Sequence, residues 1–414
     1  MSSCRLISKI GRCCRRALLV MTILLVAAVP AMAAQLKLVP SLTLRQEYND
    51  NLFFEDSDEE RHWITTVYPG LDLVRKTERL QLDATARLGL RKYLDQEQLD
   101  SIDQQYRGTL QWRFGPRLAL NLAGGYLRDF RTDRDLEEIG LTTAQTRRDR
   151  EQAGLGVEYA LTERSRLDLG WGFIRTEYEE DEEADSDSHT ASIGWSYALT
   201  ERMQNRLSLG YSHSEFTGSR IDNLVLSTGL SYSGSERLTW QVMAGGRYTR
   251  SRFEESVLVG FTEVVPGVFV GVFEKRDEES DDLGWVASAS VNWKGEFSQA
   301  GLALQREVRL ASGRTGSTEV TSLVLNGSHR LSEQFSMTFS GGYYINEADE
   351  GEFGGEGIDE QTLRLSPGLK YQWTPDLSAE LSYDYTRLDD REEDTEQTRN
   401  LVFLRLTYRF PVEF

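Results

Sequence analysis

The sequence predicts an all-β fold: a transmembrane antiparallel up-and-down β-barrel of about eighteen strands, with sixteen as the alternative, short periplasmic turns and long acidic outer loops. Three observations lead there. Apolar and polar residues alternate strictly in segment after segment, the connections alternate between very short and long, and the chain opens with an export signal.

Alternation is clearest from Leu80 to Arg91. Leu80, Leu82, Ala84, Ala86, Leu88 and Leu90 fall on one face of a strand, and Gln81, Asp83, Thr85, Arg87, Gly89 and Arg91 on the other. Successive strand side chains point to opposite faces, so such a segment needs oil on one side and water on the other. The pattern returns from Tyr106 to Phe114, from Leu238 to Tyr248 and from Leu377 to Tyr385. A soluble sandwich shows the same alternation, so the connections must discriminate.

Short polar turns are expected near Lys76-Thr77-Glu78-Arg79, Gly115-Pro116-Arg117, Thr162-Glu163-Arg164-Ser165, Thr200-Glu201-Arg202, Ser235-Glu236-Arg237, Lys294-Gly295-Glu296, Ser332-Glu333-Gln334 and Thr374-Pro375-Asp376. Between them lie longer acidic connections such as Glu177 to Asp187 and Glu347 to Glu360. Short turns at one rim and long loops at the other are what an outer-membrane barrel requires. The hairpin also repeats: Tyr159-Ala160-Leu161-Thr162-Glu163-Arg164 returns as Tyr197-Ala198-Leu199-Thr200-Glu201-Arg202. A propeller blade of similar period needs four strands, and only two fit here.

Aromatic residues fall at the two levels a bilayer favours. Trp112, Phe114, Tyr159, Tyr197, Trp293, Tyr371 and Trp373 precede the short turns, and Tyr126, Tyr211, Tyr248, Tyr343 and Tyr385 lie toward the opposite strand ends. Eight short turns and one unpaired strand at each end, near Ser41 to Tyr48 and Asn400 to Phe410, make the count even and bring both termini to the periplasmic rim. At the C-terminus Leu404, Leu406, Tyr408, Phe410, Val412 and Phe414 alternate to a terminal Phe, which resembles the strand signal read by the barrel-assembly machinery. Pro411 lacks an N–H and suits a strand end, so Pro411 to Phe414 reads as a short extension.

Residues 1–33 read as a secretory signal peptide, with residues 34–414 forming the barrel: Arg5, Lys9, Arg12, Arg15 and Arg16 precede an apolar run from Ala17 to Val29 and then Ala31-Met32-Ala33. That run is shorter than the roughly 20 residues a membrane helix needs. Cys4, Cys13 and Cys14 are the three cysteines and all precede the expected cleavage point, so the mature chain offers no disulfide and no thiolate. With 47 basic against 66 acidic side chains the chain is no nucleic-acid binder.

The segment Glu47-Tyr48-Asn49-Asp50-Asn51-Leu52-Phe53, followed by Trp63-Ile64-Thr65-Thr66-Val67-Tyr68-Pro69-Gly70-Leu71, resembles the bacterial outer-membrane family β-barrel porin 2, whose members accompany exopolysaccharide or exosortase-type loci. The resemblance implies an outer-membrane barrel and carries no catalytic residues. Physically, Asn49-Asp50-Asn51 offers side chains that form Asx turns and tolerate left-handed backbone, marking the entry to the first outer loop. Pro69-Gly70-Leu71 and Pro367-Gly368-Leu369 read as local strand irregularities.

No chemistry-bearing motif stands out. His62, His189 and His213 are expected near outer strand ends or loops and His329 near a periplasmic turn, with no Gly-x-Ser-x-Gly elbow and no His-Glu-x-x-His pair. The acidic run from Glu177 to Asp187 lacks calcium-loop spacing and reads as a solvated loop. The connection Arg252 to Asp282 is different, with Val257-Leu258-Val259-Gly260-Phe261 and Val264 to Phe273 too apolar for water. It is expected to fold inward, to extend as a hairpin, or to meet a partner protein.

The expected function is a porin-like channel of the cell outer membrane for carbohydrate or exported polysaccharide. The rivals are a non-conducting envelope scaffold and, third, an outer-membrane enzyme. Expected partners are outer-membrane lipid and lipopolysaccharide, the assembly machinery, and polysaccharide or other envelope proteins; no cofactor is expected. A lumen stripe of Arg45, Arg87, Arg91, Arg107, Arg113, Arg364, Lys370, Arg405 and Arg409 is the candidate site, because arginine rings favour anionic solutes in pores. Glu47, Asp72, Asp83, Glu380 and Asp384 face the same lumen and offer internal neutralisation.

Overall fold

The computed structural model describes residues 35–57, 59–94, 96–130, 147–179, 184–216, 219–265, 268–310, 317–348 and 357–413. The expected signal peptide and parts of the acidic loops, residues 180–183 and 349–356, lie outside them. Eighteen strands run in chain order: β1 (Gln35–Asn49), β2 (His62–Lys76), β3 (Leu80–Tyr93), β4 (Ser101–Arg113), β5 (Leu118–Asp129), β6 (Arg148–Ala160), β7 (Ser165–Tyr178), β8 (Ser186–Ala198) and β9 (Met203–Phe216) form the first half. The second half is β10 (Ser219–Ser233), β11 (Leu238–Val265), β12 (Val268–Lys294), β13 (Ser298–Leu310), β14 (Ser317–Arg330), β15 (Phe335–Ala348), β16 (Ile358–Gln372), β17 (Leu377–Asp390) and β18 (Thr395–Arg409). Each pairs antiparallel with its chain neighbours, and β18 returns to β1 from Ser41↔Arg409 to Asn49↔Leu401. The barrel is closed, so no strand edge is left along that seam, where each unpaired backbone group in hydrocarbon would cost several kcal/mol.

The expected short turns are all present, each of three or four residues. A hydroxyl three residues before the start of the next strand organises several of them. Thr77 Oγ1 accepts the Leu80 N–H at 2.9 Å, Thr200 Oγ1 that of Met203 at 3.0 Å, Ser332 Oγ that of Phe335 at 3.0 Å and Thr374 Oγ1 that of Leu377 at 3.1 Å. These hydroxyls satisfy donors that the turn would otherwise strand.

The outer face is apolar. Leu90, Leu122, Leu155, Ile193, Leu226 and Leu304 are exposed on it, with Trp112, Phe114, Tyr159, Trp293 and Trp373 toward the short-turn rim and Trp63, Trp171, Tyr211, Tyr248 and Tyr343 toward the other. So large a continuous apolar surface is unstable in water, and its two aromatic levels match the bilayer interfaces. The protein is an outer-membrane barrel. Leu82 shares the outward face yet is 8% exposed, so not every outward position is open to lipid.

Both Pro-Gly segments interrupt the wall as expected. The β2–β3 ladder passes from Val67↔Leu90 to Gly70↔Arg87, and the β16–β17 ladder from Leu365↔Tyr385 to Gly368↔Ser382, with the intervening pairs missing and the register unchanged. Proline has no N–H to give. Beyond Pro411 a two-residue strand, β19 (Val412–Glu413), pairs with Leu38 and Lys37.

The first loop fastens the closing seam. Asp50 accepts from Asn400 twice, from its backbone N at 2.6 Å and its Nδ2 at 2.7 Å, and fully buried Asn51 donates to the carbonyls of Thr398 and Glu55. The Asn51 N–H bonds to Asn49 Oδ1 at 3.1 Å, the expected Asx turn. The left-handed residue, however, is Phe54 with φ 55°, not an asparagine. Its ring lies 4.4 Å from the Arg399 guanidinium carbon and is buried, which offsets a backbone cost of about 1–2 kcal/mol.

Two features depart from a uniform wall. Of the three expectations for Arg252 to Asp282, the extended hairpin is what forms: β11 and β12 stay paired to Val265↔Val268, a dozen residues past the last β10 pair at Phe253. That adds roughly 40 Å of ribbon. The β12–β13 ladder, by contrast, stops at Ala287↔Arg306, although β13 continues to Leu310 paired with β14.

Candidate functional site

The candidate site is the lumen, and it has two unlike halves. Toward the long loops the inward positions are packed. Arg45, Glu47 and Asn49 end β1, His62, Ile64 and Thr66 begin β2, and Arg399, Leu401 and Phe403 begin β18, all of them buried. Toward the short turns the same faces are open, with Arg107, Thr109, Arg113, Gln241 and Arg409 exposed.

The packed half is built from the first loop and from ion pairs. Leu52 turns into the lumen against Ile64 and Tyr93, with Phe53 and Leu99 alongside. Burying these apolar groups inside a polar lumen stabilises each by about 1.5–3 kcal/mol. Around them Arg45 pairs with Glu47 at 2.6 Å and lies over Phe403, 4.0 Å from its centroid. Arg91 pairs with Asp103 at 3.1 Å, and Arg148 with Asp129 at 3.1 Å. Arginine beside a buried carboxylate gains charge-assisted hydrogen bonds that neither group would find in an apolar core.

All nine predicted stripe residues point into the lumen, but they do not form one basic surface. Arg87 meets Asp72 at 3.3 Å, Arg364 meets Asp384 at 3.8 Å and Arg405 meets Glu380 at 2.7 Å. With Arg45 and Arg91 that makes five of the nine facing a carboxylate. Lys370 sits opposite Glu380 in the ladder. Arg107, Arg113 and Arg409 remain, exposed on the short-turn side, and no ion pair to them occurs among the described residues. A groove of about 450 Å³ runs along the wall of β3 to β7 there, where Gln81, Asp83, Thr109, Gln111 and Asn121 stand beside Leu110, Leu122, Leu155 and Trp171. Asn121 is held by its Nδ2 donating to Glu158 at 2.9 Å.

The histidines do not converge. His62 is buried in the lumen, 3.4 Å from the Glu60 carboxylate. His213 lies on the outer face, its Nδ1 2.8 Å from Asp222, which also accepts from the Tyr211 hydroxyl at 2.5 Å. His189 packs on Phe173 with centroids 4.9 Å apart. His329 meets Ser298 at 2.6 Å near the short-turn rim, with no carboxylate bonded to that ring among the described residues. No group of three His, Asp, Glu or Cys is placed to hold a metal among the described residues.

Sequence reasoning missed the lumen core of Leu52, Ile64 and Tyr93. One signal was available: Ile64 and Val74 are apolar on the polar face of β2, an exception to the alternation. It also missed the joint between β12 and β13, for which neither strand's own pattern carries a sign.

No protein-family model matches the chain, and no curated protein does. Among solved structures, OpdO of Pseudomonas aeruginosa is similar at 15% identity over 92% of this chain and 97% of its own, with a TM-score of 0.43. OccAB3 of Acinetobacter baumannii gives 12%, 92%, 99% and 0.44. The outer membrane protein OpdK of P. aeruginosa gives 11%, 91%, 99% and 0.42.

Proposed function

We propose that the protein is a porin-type channel of the outer membrane that takes polyhydroxylated solutes, carbohydrate or a polysaccharide in export, into a vestibule on the periplasmic side. The observation that carries this reading is the asymmetry of the lumen. One half is packed with buried ion pairs and the first loop, and the other is open, with amide and hydroxyl groups set among leucines along its wall. Sugar hydroxyls, as both donors and acceptors, pair with Gln81, Thr109, Gln111 and Asn121 without needing a charge.

The basic stripe enters this proposal in reduced form. Neutralised at five positions, it leaves Arg107, Arg113, Lys370 and Arg409 to give the vestibule a mild preference for anions. The test is planar-bilayer recording with maltooligosaccharides on either side. Stable conductance steps that sugar interrupts more strongly from the short-turn side support the reading; steps indifferent to sugar from both sides remove the carbohydrate part. A second reading, a non-conducting scaffold, is favoured by the packing of the long-loop half. Absence of any conductance in a correctly refolded barrel would decide for it.

A further inference from the structure

Where β12 leaves β13, the two edges of the wall do not part; they overlap. Arg247 of β11 faces the lumen, yet it bonds to Glu319 of β14, a residue whose ladder position shares the outward face with Leu323 and Leu325. Glu319 also holds Arg306 of β13, which lies on the same outward face. Val308, outward by register too, packs against the buried pair Phe216 and Ile221 on the inner faces of β9 and β10. The long-loop ends of β13 and β14 are therefore tucked inside the wall formed by β9 to β12.

Side chains, not backbone bonds, hold this joint. Arg247 reaches across it because Gly284 lies in its path: a Cβ there would stand 2.1 Å from the guanidinium nitrogen. Its other nitrogen meets Asp282 at 2.6 Å. On the lipid side Arg306 lies over the Trp285 ring at 4.8 Å, and Leu283 beside it is 82% exposed. At the two Pro-Gly interruptions the pairing resumes on both sides; here the ladder ends for good within the outer aromatic level marked by Tyr248, the partner of Leu283.

We propose that this joint is a lateral passage between the lumen and the outer leaflet for an amphipathic molecule, an acyl chain carrying an anionic head. This deepens the channel reading and rests on it: where the axial route is packed, a side route through the wall gives the vestibule an exit. Phe216, Ile221 and Val308 form an apolar surface on the lumen side for the chain, and Leu283 and Trp285 continue it to lipid. Arg247 and Arg306, both shared with Glu319, meet an anionic head by exchanging that carboxylate for it. Opening exposes strand edges that are already unpaired, so it breaks no ladder bonds.

The test uses a bridge across the joint. The three native cysteines lie at positions 4, 13 and 14, so Phe216→Cys with Val308→Cys can be linked by a short bifunctional thiol reagent, the link being verified by mass. Ala289→Cys with Leu304→Cys, a pair within the intact ladder, is the matched control. Proteoliposomes enclose a lysophosphatidylethanolamine labelled on its amine, which makes the head anionic, and its emergence in the outer leaflet is read by albumin extraction; salt conductance is recorded in parallel. The expected result is that the 216–308 link slows emergence at least ten-fold while conductance stays within two-fold, that the control link changes neither, and that Glu319→Gln speeds emergence. Conductance without emergence in the wild type, or emergence indifferent to the 216–308 link, overturns the lateral passage and leaves the channel reading standing. Loss of conductance together with emergence on linking overturns it as well, since the joint would then gate the whole pore. No conductance and no emergence in the wild type overturns both.

Discussion

The two halves of the lumen are lined by the same eighteen strands and follow the same alternation, yet one is solid and the other open. Toward the long loops, inward arginines meet inward carboxylates within 4 Å and the first loop adds Leu52 and Phe54. Toward the short turns, Arg107, Arg113 and Arg409 stand exposed. Strand pattern thus sets which face a residue occupies, while the partner across the lumen and the fold of the loops set whether that face holds water. Substitutions should therefore have unequal effects in the two halves, and that inequality can be broken.

The largest expected effect is in the packed half. Asp103→Ala removes the carboxylate paired with the buried Arg91, which keeps its bond to the Tyr93 hydroxyl, and should destabilise the refolded barrel by about 3–5 kcal/mol, read from urea titration in detergent or lipid. Arg107→Gln, in the open half, should change the midpoint by less than about 0.5 kcal/mol. Equal losses would mean that the packed half is hydrated like the vestibule.

Next is the lumen core itself. Leu401→Ala, at 1% exposure, should cost about 2–5 kcal/mol by opening a cavity, although its position on the polar face would make it look tolerant by pattern alone. A neutral result would show that Leu401 is not packed.

On the outer face, which both halves share, Leu122→Arg should cost about 2–4 kcal/mol near the midplane. Leu82→Arg should cost a similar amount through overpacking rather than lipid exposure, because that position is covered. Measuring both in bilayers of different thickness separates the causes: only the Leu122 variant should respond to thickness.

A smaller loss is expected at the closing seam. Asn51→Ala removes the two bonds its amide donates to the Glu55 and Thr398 carbonyls and the one it accepts from the Glu55 N–H. It should cost about 1–3 kcal/mol and lower the temperature at which the folded band converts on gels, with conductance unchanged.

Much of the architecture was legible. The period-2 pattern from Leu80 to Leu90 fixes the outward face, and Thr200 and Ser332 mark turns because a hydroxyl there caps the hairpin; local chemistry decides both. The neutralised stripe was legible in part, since Asp72, Glu380 and Asp384 could be placed on the lumen face, but pairing depends on register across strands. The packed half was not legible, because Leu52 and Phe54 belong to a loop whose inward turn is set by contacts with Ile64, Tyr93 and Arg399 on three other strands. The β12–β13 joint was hidden for the same reason: Glu319 has an outward position and an inward partner.

The central claim is that the long-loop half, and not the vestibule, limits conduction. Single-channel conductance of Leu52→Ala with Phe54→Ala, compared with Arg107→Gln with Arg113→Gln, tests it most directly. Trimming the packed half should raise conductance at least two-fold over the wild type, or create it where the wild type is silent, while the vestibule pair shifts the reversal potential in a salt gradient and leaves conductance nearly unchanged. Conductance unaffected by the first pair and altered by the second would contradict the account.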